Sequence, residues 1–150
     1  MSEFTTRPAA ESDIPNWCEM RAQLWPGYLH HEHDVQNYFQ NLDDNRIAIM
    51  AVATTAPDSA LGFIELSLRQ NIPATKDDVY TYIEGWFVSE MIRHAGAGKA
   101  LIAAAEHWAR EHSCSEMASE CEIKNQNSAS AHLACGFSEE PRNIRFRKNL

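Results

Sequence analysis

The middle of the chain places an aromatic, apolar run directly before a glycine-containing turn and a long amphipathic segment. Residues 80–88 (YTYIEGWFV) combine aromatic and β-branched side chains, which is typical of a buried strand. From Ala97 to Trp108, apolar residues recur at three- and four-residue steps, which predicts one buried face of a helix. Any fold for this chain must therefore accommodate a strand, a turn and a helix in immediate succession.

The turn itself, Ile92–Lys99 (IRHAGAGK), indicates an anion site. The first turn of a helix leaves amide hydrogens unpaired and carries partial positive charge, and both favour a phosphate. Gly96 and Gly98 allow the backbone to approach a bulky anion, and Arg93 can add a charge-assisted hydrogen bond. These residues predict a pyrophosphate-binding turn. The alternative is a glycine-rich turn that only leads into a core helix.

Two other phosphate-binding loops do not fit this turn. A dinucleotide fingerprint needs three glycines near the start of the chain and an acidic residue about 20 positions later. A Walker loop ends in Gly-Lys-Ser/Thr, whereas Gly98-Lys99 is followed by Ala100. The pattern that remains is Arg-x-x-Gly-x-Gly after an aromatic strand.

Length and composition are those of an ordinary globular protein. The 150 residues, 44% hydrophobic and 23% charged, predict a single domain over residues 1–150. We expect no membrane association, because no apolar run approaches the roughly 20 residues of a membrane helix and the N-terminus lacks the features of a signal peptide. Four cysteines without a CxxC pair favour reduced thiols and a cytoplasmic protein.

The net charge of -8 argues against nucleic acid as a partner, since phosphate backbones require a basic surface. The same charge is compatible with a cationic substrate, although solubility alone also explains it. The His30-His31-x-His33-Asp34 run is best explained as a solvated helix start, so no metal site is predicted.

Hydrophobic periodicity predicts a mixture of strands and helices along the chain. We expect a turn at 56–59, a loop at 71–78, and helices that begin near Ser12 or Asp13 (a cap), His31, Ala97 and Ser128. The predicted strands are 4–7, 46–54, 62–69, 80–88, 117–121, 137–140 and 143–148. This order indicates an α+β (α/β layered) domain with a largely antiparallel sheet.

The Arg-x-x-Gly-x-Gly turn resembles the acetyl-CoA loop of the GNAT N-acetyltransferase superfamily. A second segment strengthens the resemblance: Asn125 and Ser128 precede His132-Leu133-Ala134-Cys135-Gly136-Phe137, which is similar to the family's aromatic-x-x-x-Gly-Phe pattern. Where the family usually has a tyrosine that protonates the departing thiolate, this chain has His132. An imidazole can serve as that acid, or His132 can simply pack beside Phe137.

Further segments together resemble one branch, the small single-domain aminoglycoside 6'-N-acetyltransferases. They are Leu24-Trp25-Pro26, GFIELSLR (62–69), YIEGWFV (82–88), MASE (117–120) and residues 125–137. The resemblance implies a GNAT fold with helices on both faces of a mixed, mostly antiparallel sheet. It also implies acetyl-CoA as cosubstrate, no metal, acetylation of the 6'-amine of aminoglycoside antibiotics, and a homodimer.

The resemblance assigns roles residue by residue. It implies cofactor contacts by Phe87, Val88, Arg93, His94, Ala95, Gly96, Ala97, Gly98, Asn125 and Ser128, catalytic roles for Glu84, Glu120 and His132, and substrate contacts by Trp25, Tyr28, Glu84, Glu120 and Glu140. Glu65 is a weaker candidate for binding a cationic substrate, because strand alternation can turn it to the opposite sheet face. Trp25 has a simpler alternative as a core aromatic at the end of a helix.

This chain departs from the branch pattern at several positions. Glu120 stands where the branch typically has aspartate, so its carboxylate reaches one methylene further. Pro141 replaces an acidic residue, which leaves Glu139 or Glu140 as a substitute, and Ser89 and Glu90 stand in place of a proline before the turn. These departures leave two rival functions open: acetylation of another polyamine or amino sugar, and a non-catalytic acyl-CoA-binding regulatory domain.

Overall fold

A computed structural model describes residues 3–70 and 78–150 of the chain. The predicted loop at 71–78 lies almost entirely outside the described residues. The chain forms two compact units, Met1–Glu120 and Cys121–Leu150. The single domain over 1–150 stays a prediction.

The described residues of the first unit form a five-stranded sheet and three α-helices. The strands are β1 (Phe4–Pro8), β2 (Arg46–Ala53), β3 (Ala56–Gln70), β4 (Val79–Val88) and β5 (Met117–Ala118). The helices are α1 (Ile14–Leu24), α2 (His31–Gln40) and α3 (Ala97–Glu111), with short 3-10 turns at Glu11–Asp13 and Glu90–Ile92. In the described residues, no helix is both long and apolar enough to cross a membrane.

The sheet order is β1-β2-β3-β4-β5, which follows the chain. The first four strands are antiparallel to their neighbours, whereas β5 pairs with β4 in parallel. Because parallel strands need a crossover, α3 carries the chain from the end of β4 back to β5. The predicted mixed, mostly antiparallel sheet is confirmed.

Helices cover both faces of the sheet, as predicted. On one face, Trp17 of α1 and Val35 of α2 are fully buried in a cluster with Met50 and Phe63 of the sheet. On the other face, α3 packs so closely that a Cβ built on Gly62 would lie 3.4 Å from the Leu101 side chain. That added Cβ would also lie 2.7 Å from the Phe87 carbonyl oxygen, so only glycine fits at this position of β3.

A β-bulge interrupts the pairing of β3 with β4. Glu65 is opposite Gly85, but the next residue, Leu66, is opposite Ile83, so Glu84 is the extra residue of β4. A bulge changes which face a side chain occupies.

Two local predictions in the first unit were wrong. Residues 56–59 belong to β3, and the turn lies at Thr54-Thr55 instead. The predicted side-chain cap by Ser12 or Asp13 is absent from α1. Asp13 instead accepts two hydrogen bonds from the Arg7 guanidinium at 2.7 and 2.8 Å and one from the Ala10 amide at 2.8 Å, which joins β1 to the start of the helix.

The second unit contains α4 (Gln126–Ala134), which ends near Gly136 as predicted. Gly136 has φ of +90°, a left-handed conformation that favours glycine after a helix. The predicted strands at 137–140 and 143–148 were wrong, because residues 137–150 form no strand. A strand requires a paired neighbour, and the 30 residues of this unit contain no other strand that could supply one. The short strand predicted at 117–121 is likewise limited to Met117–Ala118, which are the residues that pair with β4.

Candidate functional site

The carboxyl-terminal half of β4 has a free edge. β5 pairs with Thr81 and Tyr82 only, so within the first unit as described β4 has no strand partner on that side from Ile83 to Val88. An extended ligand arm can hydrogen-bond to such an edge in the way an added strand does.

The register of β3 and β4 determines which amides face that edge. The Ser89 amide donates to the Leu61 carbonyl at 2.8 Å, so Leu61 and Ser89 form a hydrogen-bonded pair. In an antiparallel ladder the next pair, Gly62 and Val88, then exchanges no hydrogen bonds. The Val88 amide therefore points away from β3 toward the free edge, whereas the Phe87 backbone belongs to the ladder with Phe63.

The predicted anion-binding turn lies next to the end of β4. Gly96 precedes α3 with φ of +98°, a conformation that favours glycine, and His94 is also left-handed with φ of 67°. A Cβ built on Gly98 would approach Trp86 at 3.4 Å and Val88 at 3.6 Å, so the first turn of the helix adjoins the strand. Arg93 donates from Nε to the Val88 carbonyl at 3.3 Å.

This arrangement fits the diphosphate of a coenzyme A. The structure brings Arg93 and Gly98, the two ends of the predicted run 93–98, close to Val88. The unpaired amides of the α3 start supply donors for phosphate oxygens, and Arg93 remains exposed enough to add a charge.

A pocket of about 620 Å³ lies on the sheet face covered by α1 and α2. It is lined by Trp17, Arg21, Trp25, Tyr28, Asp34, Asn37, Tyr38, Arg46, Ile47, Ala48, Glu65, Leu66, Ser67 and Glu84. Three of the predicted substrate residues, Trp25, Tyr28 and Glu84, are therefore brought together. Aromatic side chains beside carboxylates suit a cationic, ring-shaped ligand.

Glu84 is held in one orientation by two neighbours on β3. Arg69 forms a bidentate ion pair with it, donating from NH2 at 2.7 Å to Oε2 and from Nε at 3.0 Å to Oε1. The Ser67 hydroxyl also donates to Oε1. The Glu84 side chain retains 34% exposure, so it is oriented by these contacts and still accessible from the pocket.

Of the two placements left open for Glu65, the structure has the one on the same sheet face as Glu84. Glu65 lines the same pocket and accepts hydrogen bonds from Trp17 Nε1 at 2.9 Å and Arg21 NH1 at 2.6 Å. The bulge at Glu84 is the physical reason, because one extra residue shifts the alternation of β4 relative to β3. Burial raises the pKa of the Glu65 carboxyl above its usual range, although the charge of Arg21 opposes the shift.

Glu120 does not line the pocket but is connected to Glu84 through two side chains. The Arg69 guanidinium that binds Glu84 lies 3.7 Å from the centre of the Tyr82 ring. Burial, together with the charge of Glu120 and a hydrogen bond to it, raises the pKa of Tyr82 to about 12. The phenol is therefore protonated at neutral pH and donates to the Glu120 carboxylate.

Trp25 is packed more tightly than a residue that only borders solvent. The Arg21 guanidinium lies 4.9 Å from its ring centre, and a Cβ built on Gly85 would come within 2.5 Å of its ring. The Trp25 carbonyl also accepts from His31 Nε2 at 3.2 Å. Trp25 is half-buried against the bulge and also lines the pocket, and its contact with a substrate stays a prediction.

Tyr28 contacts a carboxylate that was not predicted. Its hydroxyl donates to Asp34 Oδ2 at 2.6 Å, and Arg21 NH2 donates to the same oxygen at 3.3 Å. Burial alone would raise the pKa of the Asp34 carboxyl, but the Tyr28 hydrogen bond and the Arg21 charge lower it below its usual 3.8.

The remaining predicted site residues lie in the second unit. Asn125 caps α4 by accepting from the Ser128 amide at 3.1 Å. His132 Nδ1 donates to the Ser128 carbonyl at 2.7 Å, and its ring packs edge-to-face on Phe137 with centroids 5.3 Å apart. Glu140 is exposed. The packing beside Phe137 is therefore present, while the acid role of His132 stays a prediction.

Among the residues missed from the sequence are Arg21 and Asp34, which line the pocket, and Arg69, which binds Glu84. Arg21 follows Trp17 by four residues on the apolar side of α1, and a charged residue on a buried helix face signals an internal ion pair. Arg69 shares the alternation of Glu65 and Ser67 along β3. No comparable signal identified Asp34, because exposed acids are common in the first turn of a helix.

Comparison with known proteins identifies a matching protein family. The sequence profile of the Acetyltransferase (GNAT) family matches residues 14–137. The aminoglycoside N(6')-acetyltransferase type 1 of Klebsiella aerogenes is 39% identical over 145 residues, which cover 96% of this chain and 95% of that protein. The enzyme of the same name from Stenotrophomonas maltophilia is 33% identical and covers 97% of this chain and 94% of its own length.

Solved structures agree with the sequence comparison. AAC(6')-Iy, in complex with the bisubstrate analogue CoA-S-monomethyl-acetylneamine, is 32% identical with a TM-score of 0.86, and covers 99% of this chain and 100% of that one. The aminoglycoside antibiotic 6'-N-acetyltransferase AAC(6')-Ih from Acinetobacter baumannii is 29% identical with a TM-score of 0.85, covering 98% of this chain and 99% of that one.

Proposed function

Because this chain belongs to the GNAT acetyltransferase family, we propose that it works as an aminoglycoside 6'-N-acetyltransferase, and hence as an antibiotic-resistance enzyme. It is an acetyl-CoA-dependent N-acetyltransferase with the GNAT fold. The observation that carries the choice of acceptor is the pocket that places Trp25 and Glu84 against the bulge of β4, a few residues from the free edge. Relatives named for this activity match almost the full chain.

The α3 turn and the edge of β4 bind the cosubstrate. The α3 amides and Arg93 hold the diphosphate, and the end of β4 beside Phe87 receives the pantetheine arm, with the Val88 amide as the donor that faces it. Residues His94 to Gly98 follow the diphosphate around the turn. Asn125 and Ser128 are proposed as further cofactor contacts.

Acetyl-CoA supplies an acetyl thioester, and the amine of the acceptor attacks it directly. The Val88 amide stabilises the negative charge that develops on the carbonyl oxygen. Glu84 holds the attacking amine and takes its proton, directly or through a water, which contributes about 10² to 10⁴ in rate. Orientation of the amine by the pocket contributes at least as much.

Three further roles belong to this proposal. Glu120, held by the Tyr82 hydroxyl, binds an ammonium group of the acceptor. His132, as the imidazolium, protonates the departing thiolate. Glu140 adds acidic charge for substrate binding in place of the residue that Pro141 replaces.

We also propose a homodimer that works in the cytoplasm. Ile144, Phe146 and Leu150 are 81%, 90% and 115% exposed, and they alternate with polar residues in a segment that forms no strand. Such a segment gains most by adding to a sheet edge of a second copy. All four cysteines are free thiols, which suits a reducing compartment.

A thiol-release assay tests the proposed function. Purified protein with acetyl-CoA and tobramycin or kanamycin should release free coenzyme A, and NMR of the product should place the acetyl group on the 6'-nitrogen. Absence of turnover on every 6'-amino aminoglycoside would reject the proposal. Faster turnover of spermidine would indicate a polyamine enzyme, and acetyl-CoA binding without any turnover would indicate a regulatory domain.

A further inference from the structure

The Asp34 carboxylate is held in one orientation by hydrogen bonds and is still accessible from the pocket. Its Oδ2 is fixed by the Tyr28 hydroxyl at 2.6 Å and by Arg21 NH2 at 3.3 Å. Its side chain nevertheless retains 35% exposure and lines the pocket. Since Oδ2 receives both of these hydrogen bonds, the other oxygen, Oδ1, keeps its accepting capacity, with only the exposed His33 at 3.6 Å.

Arg21 explains why this carboxylate is fixed. A buried cation in a pocket for a polycation repels the ligand, so it must contribute something else. Arg21 donates to Glu65 of β3 at 2.6 Å, to His31 of α2 at 3.3 Å and to Asp34, and it lies over Trp25. One guanidinium therefore links the sheet, the loop after α1 and the first turn of α2. Its hydrogen bond to Oδ2 fixes the orientation of the Asp34 side chain.

Asp34 and Glu84 belong to different elements of the pocket wall. Glu84 is on β4, whereas Asp34 is on α2, which covers this face of the sheet. An acceptor whose amines are distributed over several sugar rings can therefore engage both carboxylates, one with the reacting amine and one with another ammonium group.

We propose that Asp34 is a specificity-determining residue, which binds a second ammonium group of the acceptor and is positioned for this by Arg21 and the Tyr28 hydroxyl. This inference rests on the proposed function. It assigns Tyr28 two separate contributions: its ring lines the pocket, while its hydroxyl acts through Asp34.

The test compares Asp34→Asn with Glu32→Gln. Both substitutions remove one negative charge from α2, but Glu32 is exposed, hydrogen-bonds only Gln36 among the contacts described, and does not line the pocket. We expect Asp34→Asn to raise the KM for tobramycin about tenfold, because a hydrogen-bonded charge pair is lost. Its KM for acetyl-CoA and its kcat should stay within about threefold of wild type, since Glu84 still holds the reacting amine. Glu32→Gln should change none of the three.

A double-mutant cycle tests the positioning by Tyr28. Tyr28→Phe keeps the ring and removes the hydroxyl, so its effect on the KM for tobramycin should resemble a weaker Asp34→Asn and should vanish in the Asp34→Asn background. Additive effects would mean that the hydroxyl contacts the acceptor by itself, and would overturn the positioning role.

The two possible failures are distinguishable. If wild-type protein shows no turnover of any aminoglycoside, the proposed function fails first. If wild type turns over tobramycin and Asp34→Asn has the same kinetics as Glu32→Gln, the proposed function stands and the role of Asp34 is rejected. A lower kcat together with raised KM values for both substrates and a lowered Tm would also reject it, because these changes would indicate damage to the fold.

Discussion

At the scale of single residues, the surroundings of Glu84 combine two demands that usually conflict. A carboxylate that binds an incoming amine has to be accessible, yet its geometry has to be fixed before the amine arrives. Arg69 and Ser67 fix it from the β3 side, and the bulge turns it into the pocket. Arg69 also neutralises part of its charge, so an ammonium ion competes with a guanidinium for the same oxygens.

We expect Glu84→Gln to lower kcat/KM for aminoglycosides at least about tenfold, because an amide can neither take a proton nor bind an ammonium ion strongly. The amide would also leave Arg69 without its anionic partner. Steady-state kinetics with both substrates varied would measure the effect. Glu106→Gln on the exposed face of α3, which also removes an arginine partner, should retain wild-type kinetics. Retention of activity in Glu84→Gln would contradict the proposed role.

Asp13 links stability to pH at the same scale. Its side chain is 1% exposed, and although burial alone would raise the pKa of the carboxyl, the hydrogen bonds from Arg7 and Ala10 lower it below the usual 3.8. A depressed pKa in the folded state means that the stabilisation is complete above the unfolded-state value and is lost as pH falls through the folded-state value.

Asp13→Asn should therefore destabilise the protein by about 2 kcal/mol at pH 7, because charge-assisted hydrogen bonds are lost at a buried site. The difference from wild type should shrink as the pH falls below about 3.8. Urea unfolding at a series of pH values measures this difference. A difference that stays constant down to pH 3 would show that the Arg7–Asp13 pair contributes no pH-dependent stability.

At the scale of elements, the proposed function assigns the acceptor to the bulge of β4 and the cosubstrate to the end of β4 with the start of α3. The bulge of β4 carries Glu84 and faces Trp25, whereas the end of β4 adjoins the start of α3. Substitutions at these two places should therefore affect different Michaelis constants.

Arg93→Ala should raise the KM for acetyl-CoA about tenfold and leave the KM for tobramycin within about twofold, because only the diphosphate loses a charge-assisted hydrogen bond. Arg110→Ala, at the opposite end of α3, is the matched control, since its ion pair with Glu106 is exposed. Equal changes in both constants for Arg93→Ala would point to disruption of the turn instead of a contact with the cosubstrate.

Gly85→Ala should raise the KM for tobramycin several-fold by displacing Trp25. The added methyl group would lie 2.5 Å from the indole ring, and such overpacking costs about 1–3 kcal/mol unless the ring moves. The same substitution in a Trp25→Ala background should have little further effect, since the clash is then absent. A full additional effect in that background would show that Gly85 acts through the backbone and not through Trp25.

At the scale of the whole molecule, the sequence predicted the elements whose pattern is local. The three- and four-residue spacing of apolar residues from Ala97 to Trp108 predicted α3, and the aromatic run predicted β4. Such predictions work because burial on one or both faces produces a periodic pattern of apolar residues. The predictions that failed depend on distant partners. Asp13 pairs with Arg7 instead of capping α1, and residues 143–148 alternate like a strand that has no neighbour in the second unit.

The residues of the site likewise fall into those that a local pattern predicts and those that depend on distant contacts. The positions of Arg93 to Gly98 and of Glu84 could be predicted because each belongs to a contiguous motif that resembles a family, and their roles stay predictions. The position of Glu65 could not, since one extra residue in β4 decides which face it shares. Arg21 and Asp34 come together only after α1 and α2 have packed against the sheet. Their ion pair therefore cannot be predicted from the sequence of either helix alone.

The proposed dimer makes a prediction at this scale. Wild-type protein should elute with the mass of two chains in size-exclusion chromatography with light scattering. Phe146→Asp should elute as one chain, because a charge cannot be buried in an apolar contact with a second copy. Ile123→Asp places the same charge at another exposed apolar position of the second unit and should leave the dimer intact. A wild-type monomer would reject the dimer.

The separation of the two binding surfaces has an evolutionary consequence. Side chains from α1, α2 and β3 form most of the pocket wall, while the α3 turn that is proposed to bind the coenzyme contributes no residue to it. Selection can therefore change which antibiotics are accepted through a few charge changes near Arg21, Asp34 and Arg69. Binding of acetyl-CoA, which every such variant still needs, would be retained.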